Sequence, residues 1–143
     1  MADVAGVTSM AERYWAFESI EGFDGQRIAA LLSGLLSHPQ RGACWVAEMD
    51  GRLCGYLLAV FMLSLEHGGL MAEIDEVFVM EDGRSAGLGS MLLAQAEREL
   101  AEHGLVRLQL QLGVGNDRAR LFYERHGFRR RAGYELLDKP LQG

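Results

Sequence analysis

The chain has 143 residues, 49% hydrophobic and 24% charged, which predicts a single domain over residues 1–143 with one substantial core. This composition excludes intrinsic disorder, and the net charge of −6 argues against a nucleic-acid-binding domain. The longest apolar run, residues 56–63, is too short to span a bilayer, so we expect a cytoplasmic protein with no membrane partner.

Two helices are predicted first. Apolar residues recur at helical spacing over residues 2–20, and a second apolar stripe over residues 28–36 ends before Pro39. A glycine-containing break at residues 22–25 separates the two stripes. The pattern predicts a helical hairpin.

Three strands are predicted next. Residues 43–49 and 52–63 are expected to form an antiparallel hairpin about Asp50-Gly51, and residues 71–80 read as a third strand. Consecutive strands with short connections predict an antiparallel meander.

The two cysteines lie on either side of this turn. A two-residue turn would place Cys44 opposite Leu57 and Cys54 opposite Ala47, so the thiols would not face each other. We therefore expect two unpaired core cysteines in a reducing compartment.

The second half of the chain alternates helices and strands. Apolar residues recur every four positions over residues 88–100, which predicts a long helix, and residues 106–112 alternate as a strand with one buried face. Asn116 is expected to cap a helix that ends near His126, and residues 128–137 read as a last strand. The fold class is therefore α/β (α+β), with a mixed, partly parallel sheet and helices on both faces.

A glycine-containing segment, residues 84–89, lies between the third strand and the long helix. Backbone N–H groups and the helix dipole together favour phosphate binding at such a position, although a plain glycine-rich turn is the alternative. The segment has neither the Gly-Lys-Ser/Thr of a P-loop nor the third glycine of a dinucleotide fingerprint.

Several short motifs occur together in a specific order. They are Val77-Phe78-Val79, the segment 84–89, Asn116 with Tyr123 seven residues later, and Gly127-Phe128. Over residues 43–139 this arrangement resembles the GNAT superfamily of N-acetyltransferases. Residues 74–80 are most similar to the diamine and polyamine acetyltransferases.

The resemblance implies acetyl-CoA as cosubstrate and no metal. The backbone of Val77, Phe78 and Val79 would pair with the pantetheine arm as an added strand, Asn116 would contact the same arm, and Arg84 would add a cation near the pyrophosphate. The pyrophosphate itself would be held by the backbone amides of Ser85, Ala86, Gly87, Leu88, Gly89 and Ser90.

The resemblance also assigns catalytic roles. Tyr123 would protonate the departing thiolate, and Asp75 and Glu76 occupy the positions of a catalytic acid and a substrate-binding acid, with Asp75 as the base. Glu73 is a third candidate for the base and for substrate binding. Strict alternation puts Glu73 on the same sheet face as Asp75 and puts Glu76 on the other, unless a bulge intervenes, and a bulge could exchange the roles of Asp75 and Glu76 or make Glu73 the base. Solvated edge charges are the alternative reading of this cluster.

Acceptor recognition is expected at the first helices. Trp15 lies where relatives build the acceptor pocket, although aromatic residues at helical spacing are more often core. The family's usual first strand is missing, because the first residues already read as helix, and an uncovered sheet edge would favour a homodimer.

The predicted function is direct acetyl transfer to a primary amine of a small cationic substrate, such as a polyamine, a diamine or an aminoglycoside. A protein or peptide N-acetyltransferase is one alternative. A non-catalytic CoA-binding sensor is another.

Overall fold

The computed structural model describes residues 3–84 and 86–142, and the chain divides after Leu110 into two compact units. The first unit holds α1 (Val4–Phe17), α2 (Gly25–Leu36), β1 (Gly42–Met49), β2 (Arg52–Ser64), β3 (Gly69–Val79), α3 (Glu81–Arg84), α4 (Leu88–Glu102) and β4 (Arg107–Leu110). The second unit holds α5 (Asp117–Arg125).

One four-stranded sheet organises the first unit, with the strand order β1-β2-β3-β4. The β1–β2 and β2–β3 pairs are antiparallel, and the β3–β4 pair is parallel. The parallel pair follows from the connection through α4, because parallel neighbours need a crossover segment. The sequence prediction of a mixed, partly parallel sheet is confirmed.

The predicted helical hairpin packs on one face of this sheet. Asp24 begins α2, and its carboxylate accepts hydrogen bonds from the backbone N–H groups of Gln26 and Arg27, which satisfies two donors that a helix start leaves without partners. The buried core on this face consists of Val7, Met10, Ala11, Leu32, Tyr56 and Phe78.

Helix α4 packs on the opposite face of the sheet. Trp45 in β1 donates its indole N–H to Glu99 of α4 at 2.8 Å, and a Cβ added to Gly55 in β2 would meet Leu92 of α4 at 3.3 Å. Helices therefore flank both faces of the sheet, as the sequence predicts.

The β1–β2 hairpin contains a bulge that the sequence did not reveal. The turn is as predicted, with positive φ angles of 53° at Asp50 and 77° at Gly51. Beyond it the register shifts, so that Ala47 lies opposite Gly55 and Cys54 is the extra residue. Both cysteines are free, but Cys44 lies opposite Leu58 and not Leu57.

A second bulge interrupts the pairing of β2 with β3. Leu58 lies opposite Glu76, whereas Ala59 lies opposite Ile74, so Asp75 is the extra residue. The bulge reverses the alternation of β3 at this point and therefore changes which side chains share a sheet face.

The last predicted strand does not form, and the prediction for residues 128–137 is wrong. Gly133 has a φ of 89°, which interrupts an extended run, and Leu136 and Leu137 are 71% and 83% exposed, so alternation there buries no face. The strand predicted over residues 106–112 is shortened to β4, since only the four residues of β4 pair with β3.

The backbone of β1 leaves no room for a side chain at its first residue. A Cβ on Gly42 would lie 2.4 Å from the carbonyl oxygen of Ala59, so Gly42→Ala should lower the free energy of unfolding by about 1–3 kcal/mol. Gly34 on the exposed face of α2 has nothing within 4 Å of its added Cβ, so Gly34→Ala should raise the same quantity by about 0.5–1 kcal/mol. Urea unfolding measures both, and a Gly42→Ala variant as stable as wild type would contradict the register.

Candidate active site

Among the described residues of the first unit, one edge of β3 has no strand partner over its last residues, because β4 pairs with β3 only as far as Ile74; this is called the open edge. On the opposite edge, Met80 donates its backbone N–H to the carbonyl of Cys54 at 2.7 Å. Hydrogen-bonding direction alternates along an antiparallel strand, so the N–H and C=O groups of Val77 and Val79 point away from β2 and toward the open edge. The edge is suited to a ligand that binds as an added strand.

Arg84 lies at this open edge. Its Nε donates to the carbonyl oxygen of Val79 at 2.9 Å, and its guanidinium lies over the rings of Phe17 and Phe78, at 5.5 and 6.0 Å from their centroids. The structure therefore brings the predicted cation to β3, where it contacts aromatic rings of α1 and β3. The two terminal nitrogens of the guanidinium carry the remaining donors.

The start of α4 presents backbone donors. The first hydrogen bond of the helix joins the N–H of Met91 to the carbonyl of Gly87 at 3.1 Å, so the N–H groups of Leu88 and Gly89 precede it and have no partner within the helix. Gly87 has a φ of 74°, and a Cβ added there would meet no atom within 4 Å. Anion binding at this helix start is physically reasonable.

The other residues of the predicted phosphate-binding segment differ in the hydrogen bonding of their backbone amides. The N–H of Ala86 donates to Gly83 at 3.1 Å and that of Gly87 to Arg84 at 3.3 Å, so these two amides are used within the turn. Ser90 lies in the first turn of α4. Ser85 lies outside the described residues.

Three carboxylates follow one another along β3. Glu73 lies opposite Val60 and Glu76 opposite Leu58, and because residues two apart in a strand share a face, both glutamates lie on the face that α1 and α2 cover. The prediction from strict alternation, which separated Glu76 from Glu73, is wrong for this reason, and the bulge alternative is correct. Asp75 is the bulged residue and is exposed.

Glu76 is held by two donors from two other elements. The Tyr56 hydroxyl donates to Oε1 at 2.8 Å, and the Trp15 indole N–H donates to Oε2 at 2.9 Å. Burial raises the pKa of Glu76, the two hydrogen bonds oppose that rise, and the charge of Asp75 adds to it. Trp15, predicted as an acceptor-pocket residue, therefore contacts a candidate catalytic carboxylate directly.

The other two carboxylates differ from Glu76 in their environment. Glu73 accepts a hydrogen bond from the Gln109 side chain at 2.7 Å across the parallel β3–β4 pair. Asp75 has a raised pKa, first because neighbouring protein partly desolvates it and then because Glu73 is nearby.

The N-cap of α5 and one residue of that helix, both in the second unit, are the remaining predicted site residues. Asn116 caps the helix as predicted, since its Oδ1 accepts from the N–H of Ala119 at 3.2 Å. Tyr123 is half-buried between Phe122 and Phe128, with ring centroids 5.1 and 5.4 Å away, and burial raises the pKa of its hydroxyl. The phenol is therefore protonated at neutral pH, the form that a general acid requires.

Sequence reasoning missed Tyr56 and Gln109. Tyr56 lies inside a continuous apolar run and is 1% exposed, so its pattern indicates only core. The contact of Tyr56 with Glu76 could have been predicted only from the position of the Asp75 bulge, because the bulge brings Glu76 onto the same sheet face as Tyr56.

Among residues 3–84 and 86–142, no helix is long and apolar enough to cross a membrane. The same part of the chain contains no group of three or more His, Cys, Asp or Glu side chains arranged to hold a metal ion.

Comparison with known proteins identifies a family. Residues 7–128 match the profile of the acetyltransferase (GNAT) family. An uncharacterized N-acetyltransferase of Archaeoglobus fulgidus is 33% identical over 97 residues, which are 67% of this chain and 65% of that protein. The aminoalkylphosphonate N-acetyltransferase of Salmonella typhimurium is 30% identical over 84 residues, 59% of this chain and 54% of that protein.

Solved structures share the fold. An integron cassette protein from the mobile metagenome of Cole Harbour Salt Marsh is 25% identical, with a TM-score of 0.84 over 99% of this chain and 87% of its own. A predicted acetyltransferase of Clostridium acetobutylicum, solved with acetyl-CoA, is 17% identical, with a TM-score of 0.80 over 96% of this chain and 90% of its own.

The raised pKa of Asp75 predicts a pH-dependent stability difference. Between the ordinary and the raised pKa the native state holds more protons than the unfolded state, so the contribution of Asp75 is present at low pH and is lost as pH rises through the native pKa. Asp75→Asn should therefore gain stability relative to wild type as pH rises from about 4 to 7.

Glu99 provides a control of opposite sign. Hydrogen bonds from Gln95 and Trp45 lower its pKa, so Glu99→Gln should lose stability relative to wild type over the same pH range. Urea unfolding at several pH values measures both differences, and an Asp75→Asn difference that stays flat would contradict the assigned environment.

Proposed function

This chain belongs to the acetyltransferase (GNAT) family, and we propose that it is an acetyl-CoA-dependent N-acetyltransferase. The proposed acceptor is a primary amine of a small cationic molecule of the polyamine, diamine or aminoglycoside type. The observation that carries the proposal is the open edge of β3 at Val77 and Val79, which follows directly on the carboxylates of Asp75 and Glu76.

Four features of the first unit support binding of acetyl-CoA. The backbone of Val77 and Val79 would pair with the extended pantetheine arm, and the N–H groups of Leu88 and Gly89 would bind the pyrophosphate at the positive end of the α4 dipole. The open space in front of Gly87 would admit the phosphates close to the backbone. Arg84 would add positive charge at the same edge.

The acceptor side is proposed to bind a cation. Glu73, Asp75 and Glu76 bring negative charge to the end of β3 that meets the open edge, and the whole chain carries a net charge of −6. Such a cluster attracts a protonated amine and repels an anionic acceptor. Charge therefore favours a diamine or polyamine over a neutral amine.

Residues of this chain would accept and donate the protons that the proposed acetyl transfer moves. A carboxylate of β3 takes one proton from the acceptor ammonium and later releases it to solvent. Acetyl-CoA supplies the thioester, so the freed nitrogen bonds to the acetyl carbon while the carbon–sulfur bond breaks. The Tyr123 hydroxyl protonates the departing thiolate, and the second proton that the nitrogen loses restores Tyr123. An N–H of Val77 or Val79 would stabilise the negative charge that develops on the carbonyl oxygen.

An activity assay distinguishes this function from the two alternatives. A protein or peptide acetyltransferase would acetylate peptides and leave small amines unchanged. A CoA-binding sensor would bind acetyl-CoA without releasing thiol in the presence of any acceptor.

The test is a thiol-release assay with acetyl-CoA and a panel of acceptors. The panel contains diamines, polyamines, aminoglycosides, neutral primary amines, an aminoalkylphosphonate and peptides with a free N-terminus. We expect the highest kcat/KM with the cationic amines and a decline of that ratio with added salt. A preference for the aminoalkylphosphonate or a peptide would contradict the proposed acceptor class.

The phosphate site is tested at one glycine. Gly87→Glu places a carboxylate where the pyrophosphate would approach the backbone, so acetyl-CoA binding measured by calorimetry should weaken by at least about a hundredfold.

Gly104 is the matched control, because it also has a positive φ, also has nothing within 4 Å of an added Cβ, and follows the other end of α4. Gly104→Glu should keep the wild-type Kd. Equal losses in the two variants would show that backbone strain and not the phosphate site is responsible.

The general acid is tested at Tyr123. Tyr123→Phe keeps the ring between Phe122 and Phe128 but removes the proton donor, so kcat should fall about a hundredfold while the Kd for acetyl-CoA stays the same. Steady-state rates and calorimetry measure the two quantities. A wild-type kcat in the folded variant would exclude Tyr123 as the acid.

A further inference from the structure

The Glu76 carboxylate of β3 accepts hydrogen bonds at both of its oxygens from donors on two other elements. Trp15 of α1 donates to Oε2 at 2.9 Å, and Tyr56 of β2 donates to Oε1 at 2.8 Å. Two donors from separate elements fix both the position and the rotation of the carboxylate plane.

We propose that Trp15 and Tyr56 are positioning residues that hold Glu76 as the proton acceptor of the transfer, with the proton arriving on Oε1. This inference rests on the proposed function and names the base within it. It replaces the assignment of Asp75, which rested on position in a motif, by an assignment that rests on contacts.

The chemistry of the two donors determines which oxygen of Glu76 can take up the proton. An indole N–H can only donate, so Oε2 must keep the lone pair that Trp15 uses, and a protonated oxygen is a poor acceptor. A phenol hydroxyl both donates and accepts, so Tyr56 can donate to the carboxylate and then rotate to accept from the neutral acid. Both protonation states of Glu76 are therefore satisfied when the proton is on Oε1.

The two supports differ in burial, which makes the arrangement testable. Tyr56 is 1% exposed and is fixed by the sheet, whereas Trp15 is half-buried and packs edge-on against Phe23, with ring centroids 5.4 Å apart. Removing the donor of Trp15 therefore disturbs less of the core than any change at Tyr56.

Other titratable or charged groups surround this cluster. Asp75 raises the pKa of Glu76, and Arg84 lies over the ring of Phe78. Burial raises the pKa of the Cys44 thiol to about 11 and raises that of the Tyr56 hydroxyl, so both are neutral over the range of an assay. Electrostatic interaction with Tyr14 also raises the pKa of Tyr56, and electrostatic interaction with Asp3 also raises the pKa of Cys44. Apart from the Tyr56 hydroxyl, which Tyr56→Phe removes, these groups are the same in all the variants below, so a change between variants reports the lost donor.

The experiment compares Tyr56→Phe and Trp15→Phe with wild type. Each variant removes one donor to the carboxylate, which disfavours the charged form of Glu76 and raises its pKa. The acid limb of the pH profile of kcat/KM with a diamine should therefore move to higher pH. On the acidic side of this limb kcat/KM should be about tenfold lower than in wild type, and at high pH the values of variant and wild type should converge.

The control is Trp45→Phe, which removes the same kind of indole–carboxylate hydrogen bond, to Glu99 at 2.8 Å on the opposite sheet face. Its acid limb should coincide with that of wild type. A loss that is the same at every pH in Tyr56→Phe and Trp15→Phe would indicate a purely structural role and would overturn the proposal.

A second readout needs no turnover. Carbon NMR of labelled glutamate side chains follows the titration of the Glu76 carboxyl, with Glu76→Gln used to assign its signal. Its midpoint should rise in Tyr56→Phe and Trp15→Phe and stay unchanged in Trp45→Phe. A shifted titration beside an unshifted rate profile would exclude Glu76 as the base and leave the proposed function intact. A wild-type protein that releases no thiol with any acceptor would overturn the proposed function itself.

Discussion

The pairing of β3 is the constraint on which the rest of the structure depends. β2 pairs with β3 along its length, but β4 pairs with β3 only as far as Ile74. Among the described residues of the first unit, the last residues of β3 therefore have a strand partner on one edge only. An open edge presents backbone donors and acceptors in a fixed row, which an extended ligand can match without any rearrangement of the sheet. Backbone groups therefore form the proposed binding edge, and side chains add to it.

The bulge at Asp75 links this edge to the acidic side chains. Without the extra residue, Glu76 would lie on the α4 face, where β1 and α4 are joined by Trp45 and Glu99. With it, Glu76 lies under α1 and receives hydrogen bonds from Trp15 and Tyr56. One inserted residue thus changes an exposed run of charges into three carboxylates with three different environments.

The sequence predicts α1, α2, α4, α5 and the first three strands because each has a strong local signal. Helical periodicity, the Asp50-Gly51 turn and the Asn116 cap are set by neighbouring residues, and all three are confirmed. The strand over residues 128–137 was predicted from alternation alone, and alternation does not supply the partner strand that pairing requires.

The candidate site was only partly predictable for the same reason. The motif residues from Val77 to Val79 could be located by their order along the chain, but the bulges at Cys54 and Asp75 depend on how two strands fit together. Tyr56 and Gln109 contact carboxylates of β3 only because of that register. No periodicity in the sequence contains this information.

Amide hydrogen exchange at β3 with and without CoA tests most directly whether the open edge binds the pantetheine arm. We expect the N–H groups of Val77 and Val79 to exchange more slowly when CoA is bound, because they gain an extended partner. The N–H of Phe78, which points toward β2, should exchange at the same rate in both states. If saturating CoA leaves Val77 and Val79 unprotected, the pantetheine arm does not bind at the open edge as an added strand.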